Sequence, residues 1–158
     1  MKKIILLIAL GAFIASCGGK KEEKKNGFEL NRTKSSTTKS DDAGVPVDLN
    51  NKGIGPFKNV DFAAEIDTEM AARGEANYNA VCVACHMIEK RMIGPAMKGV
   101  YERRSPEWVM NMIINPSEML QKDPIAKAML KEYNNAIMTA NNLTEEEVRE
   151  VAEYLRTL

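Results

Sequence analysis

One histidine in 158 residues excludes any site that needs imidazoles from two different histidines. Cysteine is nearly as scarce: the three present, Cys17, Cys82 and Cys85, each have a use proposed below, and none is left for a structural disulfide. A surplus of charge is missing too, since 22 basic side chains cancel 22 acidic ones. Residues 45–158 alone hold 13 basic and 17 acidic side chains, a net charge of −4. That excludes a nucleic-acid partner, whose phosphates call for a basic face, and suits docking on a basic or mixed protein surface. Long apolar runs are confined to Ile4–Ala15, too short to span a bilayer as a mature helix. No internal repeat is visible, and nothing alternates for long enough to predict a strand of more than a few residues.

What is there divides into four parts. Residues 1–16 begin with the basic Met1-Lys2-Lys3, continue through the apolar run and end in Ile14-Ala15-Ser16 before Cys17, the pattern of a secretory signal peptide. This ending resembles the lipobox of bacterial lipoproteins, which implies that Cys17 is lipidated and becomes the new N-terminus. The resemblance places the chain on the periplasm-facing side of a bacterial membrane, inner or outer. Residues 17–44 then form a polar tether rich in Gly, Lys, Glu, Ser, Thr and Asp, with Phe28 and Leu30 its large apolar side chains. Such a segment buries too little surface to offset the entropy of ordering it. As a flexible coil it reaches roughly 30 Å. Residues 45–65, carrying Pro46, Gly53, Gly55 and Pro56, predict an extended lead-in, and residues 66–158 a single folded domain.

The only histidine closes the run Cys82-Val83-Ala84-Cys85-His86. C-x-x-C-H is the attachment signature of a c-type haem. Two thiols three positions apart can each add across a vinyl group of one porphyrin, and the adjacent imidazole then takes a face of the iron. A zinc site or a thiol redox pair is the competing reading, but zinc would need further ligands and no other Cys or His remains in the domain.

Helix signals surround the run. Asp67 is an N-cap with Glu69 in the first turn, and Met70, Gly74, Tyr78 and Val81 share one face leading into Cys82. Ser105-Pro106-Glu107 opens a helix through about Ile114, ended by Asn115-Pro116. Asp123-Pro124 opens another through about Tyr133, closed by Asn134-Asn135. Thr144 with Glu147 forms a capping box ahead of the stripe Val148, Val151, Ala152, Leu155 and Leu158. The fold class is all-α.

These residues together resemble the class I cytochromes c, especially the small bacterial monohaem type, over roughly residues 66–158. The resemblance rests on Gly74 and Tyr78, on Cys82 to His86, on Met92-Ile93-Gly94-Pro95, and on the closing helix from Leu143 to Arg156. It implies helices packed around one covalent haem c, with Gly74 allowing the first helix to cross the last near Val151, Tyr154 and Leu155. It also implies that the Pro95 carbonyl receives a hydrogen bond from the second nitrogen of His86.

The sixth iron position is left to methionine, lysine, water or nothing. Among ten methionines, Met87, Met92 and Met97 follow His86 closely, while Met70, Met110, Met112 and Met129 fall within helical patterns, where a pliable side chain fills a core. Met138 lies in irregular chain before the last helix, in the place of the family's axial methionine, and Met119, in a loop expected beyond Pro116, is next. Thr139 follows Met138 where the family usually has proline, which predicts a looser segment. Trp108 either offers its indole N–H to a haem propionate or packs inside, and Lys90, Arg91, Arg103 and Arg104 make a candidate basic patch.

The resemblance implies single-electron transfer and not catalysis, between a quinol-oxidising complex or another cytochrome as donor and a terminal reductase or oxidase as acceptor. The stretches at 105–108 and 123–127 resemble small lipoprotein cytochromes associated with nitrous oxide reduction, which implies a nitrous oxide reductase as one such acceptor. The alternative is a haem enzyme or gas sensor in which Met138 yields to a ligand.

Overall fold

The computed structural model describes residues 44–158, so the expected signal peptide, Cys17 and all of the tether before Gly44 lie outside the described residues. Five helices follow one another: α1 (Thr68–Val81), α2 (Pro106–Ile114), α3 (Pro116–Lys122), α4 (Pro124–Glu132) and α5 (Glu145–Leu155), with a short 3-10 turn at Val100–Glu102. Among the described residues there is no strand, only an isolated parallel bridge between Asp48 and Arg104. The all-α expectation holds.

The caps read from the sequence are in place. Asp67 accepts from the N–H groups of Glu69 and Met70, Ser105 from Trp108, and Asp123 from Ala126. Thr144 and Glu147 satisfy each other's backbone donors in a capping box. Each cap gives a partner to N–H groups that the first helical turn leaves without one.

The stretch after α2 departs from expectation. Asn115-Pro116 does end α2, but the chain restarts at once as α3 in place of the expected loop. Proline is suited to this because its absent N–H is not missed at the first helical position and its fixed φ is already helical. Asn115, at φ −133° and ψ 52°, makes the corner, and its amide donates to Glu118 at 2.8 Å.

The core is built on the crossing of α1 and α5. Gly74 makes it possible: a Cβ there would stand 2.0 Å from the Glu150 carbonyl oxygen. Beside it the Tyr78 and Tyr154 rings meet with centroids 5.4 Å apart. Glu153, 1 % exposed, is held in this region by ion pairs to Arg149 and Arg156 and by the Asp67 N–H. Burial alone would raise its pKa, but these hydrogen bonds and charges outweigh burial and keep it below the usual carboxylate value.

Residues 45–65 are irregular and strapped to α2 and α3. The fully buried Asn111 amide donates to the carbonyls of Lys52 and Phe57, both at 2.8 Å, and accepts from the Phe57 N–H at 3.0 Å. One side chain thereby supplies three backbone partners that loop residues would otherwise lack.

Candidate functional site

The site grows out of the end of α1. Cys82 caps the helix with its N–H on the Tyr78 carbonyl, 2.8 Å, and the N–H groups of Cys85 and His86 both return to the Cys82 carbonyl at 3.0 and 2.9 Å. This tight turn puts both thiols and the imidazole on the wall of one cavity of about 1290 Å³, counting the space at its open mouth. Tyr78, whose hydroxyl donates to the His86 carbonyl at 3.1 Å, ties the turn to the helix crossing. Neither thiol is in a disulfide; Cys82 is half-buried and Cys85 exposed. Burial, with Cys85 beside it, pushes the Cys82 pKa up to about 11, so that side chain is a neutral thiol at pH 7.

His86 Nδ1 lies 3.1 Å from the Pro95 carbonyl oxygen. A carbonyl can only accept, so Nδ1 carries the proton and Nε2 is left as the lone-pair nitrogen, the form a metal binds. Burial lowers the pKa of His86 despite the opposing effect of the Pro95 bond, which keeps the ring neutral.

Gly94, whose role sequence reasoning missed, makes this arrangement possible. A Cβ on it would fall 2.4 Å from His86 Cε1 and 2.7 Å from Nδ1. Its place just before Pro95 was the available signal. Replacing Gly94 with alanine is expected to tilt the ring off Pro95 and make the imidazole a poorer donor to iron, raising the midpoint potential in a redox titration and the fraction of high-spin iron. An unchanged potential and spectrum would show that the ring does not depend on the space at Gly94.

Met138 is half-buried and lines the same cavity, in the non-helical stretch between α4 and α5. Asn134 and Asn135, at φ 56° and 59°, turn the chain out of α4 into that stretch, and Asn142 at φ 58° turns it toward α5. Asparagine tolerates this left-handed region better than most side chains. Met97, Met112 and Met129 also reach the wall. Met119 does not: it sits in α3, fully buried, its sulfur 3.0 Å from the Ile54 N–H that it accepts. That contact corrects its standing as the second axial candidate.

An apolar cavity with two thiols and a lone-pair imidazole nitrogen at one part of its wall and methionine sulfur at another suits a covalently held porphyrin. Among the described residues no group of three or more His, Cys, Asp or Glu is placed to hold a metal ion by itself. Residues 71–158 match the family model for Cytochrome c. The chain belongs to the cytochrome c family.

The cytochrome is similar to cytochrome c2 from Rhodopseudomonas palustris, with 30 % identity over 112 residues, 56 % of this chain and 97 % of that protein. It also resembles the solved cytochrome c from Rhodothermus marinus, at 42 % identity and a TM-score of 0.63, over 65 % of this chain and 88 % of that one. An engineered form of the Rhodothermus protein, bound to a carbene intermediate, matches at 42 % identity and a TM-score of 0.60, over the same shares of the two chains. The cytochrome therefore carries haem c covalently, its role is that of a monohaem electron carrier, and its partners are redox proteins.

Of the two readings of Trp108, packing inside is the one that holds, while the candidate basic patch needs correction. The Trp108 indole N–H donates to Asp123 at 3.0 Å, so although the ring lines the cavity its N–H is committed inside the protein. Nor do the four cations form a surface patch. Lys90 is exposed, but Arg104 is 2 % exposed and Arg103 donates to the Ala96 carbonyl at 2.8 Å, both of them on the cavity wall, while Arg91 pairs with Glu132. Guanidiniums there suit the acidic side chains of a haem.

Proposed function

We propose that this chain is a lipid-anchored, periplasm-facing monohaem cytochrome that relays single electrons between respiratory partners. In this reading Cys82 and Cys85 form the thioethers, His86 and Met138 are the axial ligands, Pro95 orients His86, and Cys17 carries the lipid. The observation that carries it is the turn from Cys82 to His86, which sets both thiols and the Nε2 lone pair on the cavity that Met138 also lines. Bound haem supplies a one-electron iron couple.

The chain's own part is to hold that couple still. His86 keeps its lone pair on Nε2 because its Nδ1–H donates to the Pro95 carbonyl. Apolar groups such as Trp108, Val109 and Ile113 line the cavity and limit water, which favours the less charged reduced state. With two axial side chains in place, no open iron position remains for a substrate.

The donor is a quinol-oxidising complex or another cytochrome, and the acceptor a terminal reductase, such as nitrous oxide reductase, or an oxidase. The anchor and the polar tether would let the domain move between them at the membrane. Expression of the full chain and of Cys17→Ser in a bacterium that matures c-type haem, followed by fractionation, tests the proposal. The haem-staining protein is expected in membranes, and the serine variant in the soluble periplasmic fraction. A native chain already soluble would count against the anchor, and rapid carbon monoxide binding by the reduced protein would favour the gas-sensor reading.

A further inference from the structure

We propose that Arg91 is a positioning residue: by gripping Glu132 and Tyr133 it latches the end of α4 to the loop after His86 and holds the Met138 segment over the cavity. The inference rests on the reading of Met138 as an axial ligand.

Arg91 makes three contacts with two consecutive residues. Its Nη1 donates to Glu132 Oε1 at 2.8 Å, its Nη2 donates to the Glu132 carbonyl at 2.5 Å, and its guanidinium carbon lies 4.0 Å from the centre of the Tyr133 ring. Glu132 is the last residue of α4 and Tyr133 its C-cap. The last carbonyls of a helix lack intrahelical donors and carry the negative end of its dipole, so a forked cation there satisfies both needs. The Arg91 and Glu132 side chains are 32 % and 34 % exposed, which shields the pair more than an ordinary surface bridge.

Each end of the latch is tied to part of the cavity wall. On one side, the loop carrying Arg91 is bound to the haem-attachment turn by the Gly94 N–H on the Cys85 carbonyl, 2.9 Å, and by the Pro95 contact to His86. On the other, Glu132 and Tyr133 lead through the left-handed Asn134 and Asn135 into Ile137, 71 % exposed, and Met138. A segment with so exposed a neighbour and an unfavourable turn at its start depends on what fixes that start. Arg91 fixes it from the loop that carries Gly94 and Pro95.

The measurable consequence is the population of an open state. An added ligand that replaces Met138 binds only when the segment lifts, so its apparent affinity scales with the open fraction. The probe is imidazole, titrated into the oxidised holoprotein as wild type, Arg91→Ala, Arg91→Lys, Glu132→Gln and Met138→Ala. Arg91→Ala is expected to bind imidazole about three- to tenfold more tightly than wild type. Its methionine–iron charge-transfer band should weaken and amide exchange quicken at residues 135–142, with haem content and helix content unchanged. Arg91→Lys keeps the charge and loses the fork, and Glu132→Gln keeps the backbone contact and loses the charge, so both should fall between wild type and Arg91→Ala. These two milder variants carry the test if Arg91→Ala fails to mature.

Met138→Ala removes the gate and should bind imidazole more tightly than all the others. If it does and the Arg91 and Glu132 variants match wild type within twofold, the latch is wrong while the ligand assignment stands. If Met138→Ala itself matches wild type, the ligand assignment fails, and the latch on Met138 with it.

Discussion

With Met138 as the proposed axial ligand, Met138→Ala is expected to strip the oxidised cytochrome of a methionine–iron charge-transfer band and to convert a low-spin haem to a high-spin or water-ligated one. The midpoint potential falls by at least about 0.1 V, because a thioether favours the reduced iron and axial ligation commands a large share of the range open to haem proteins. Optical spectra and a redox titration of the matured protein read both effects. Met119→Leu is the matched control. The Met119 sulfur is fully buried against the Ile54 N–H, so its loss should cost about 1 kcal/mol of stability and leave the spectrum unchanged. A band that survives in Met138→Ala would pass the ligand role to Met97, Met112 or Met129, the other methionines on the cavity wall.

A comparable loss, in stability instead of potential, is expected from Gly74→Ala. The added Cβ would meet the Glu150 carbonyl oxygen at 2.0 Å, the Glu150 carbonyl carbon at 2.4 Å and the Val151 nitrogen at 2.9 Å. All three are backbone atoms of α5, so no side-chain rotation relieves the clash and the helices must move apart. Overpacking of this severity costs about 3 kcal/mol, which lowers the melting temperature by roughly 10–20 °C in a domain of this size. Denaturant and thermal unfolding of the holoprotein measure it, with Glu75→Ala, on an exposed position of the same helix, expected within about 0.5 kcal/mol of wild type. If Gly74→Ala proves equally mild, close contact between the two backbones is not what holds the crossing together.

The features legible in the sequence are those set by local chemistry. The N-caps at Asp67, Ser105, Asp123 and Thr144 are each decided by a side chain a few residues from the donors it satisfies, and all four helix starts are where those residues place them. The C-x-x-C-H turn is equally local. What escaped depends on partners distant along the chain. The choice for Trp108 between a ligand contact and packing inside stays open in the sequence, because nothing near it reveals Asp123, fifteen positions on, as its acceptor. Met119 looked free to move because its bond to Ile54 spans 65 positions. Arg103 and Arg104 read as surface because charge usually is, yet the Asp48 bridge and the Pro46 carbonyl bring the lead-in against Arg104. Asn115-Pro116 carried signals for both a stop and a start, and only the stop was read.

The strap of residues 45–65 also decides where mechanical load would enter the molecule. A pull applied at residue 44 is met first by Arg104 on the Pro46 carbonyl, by Asn51 on Asp123 and by the Asn111 amide on Lys52 and Phe57. These grips belong to α2, to Arg104 just before it and to Asp123 between α3 and α4, and they come before the chain reaches α1. Tension arriving from the N-terminal side is therefore shed into the α2–α4 half of the fold, and the turn that bears the two thiols and the imidazole is left slack.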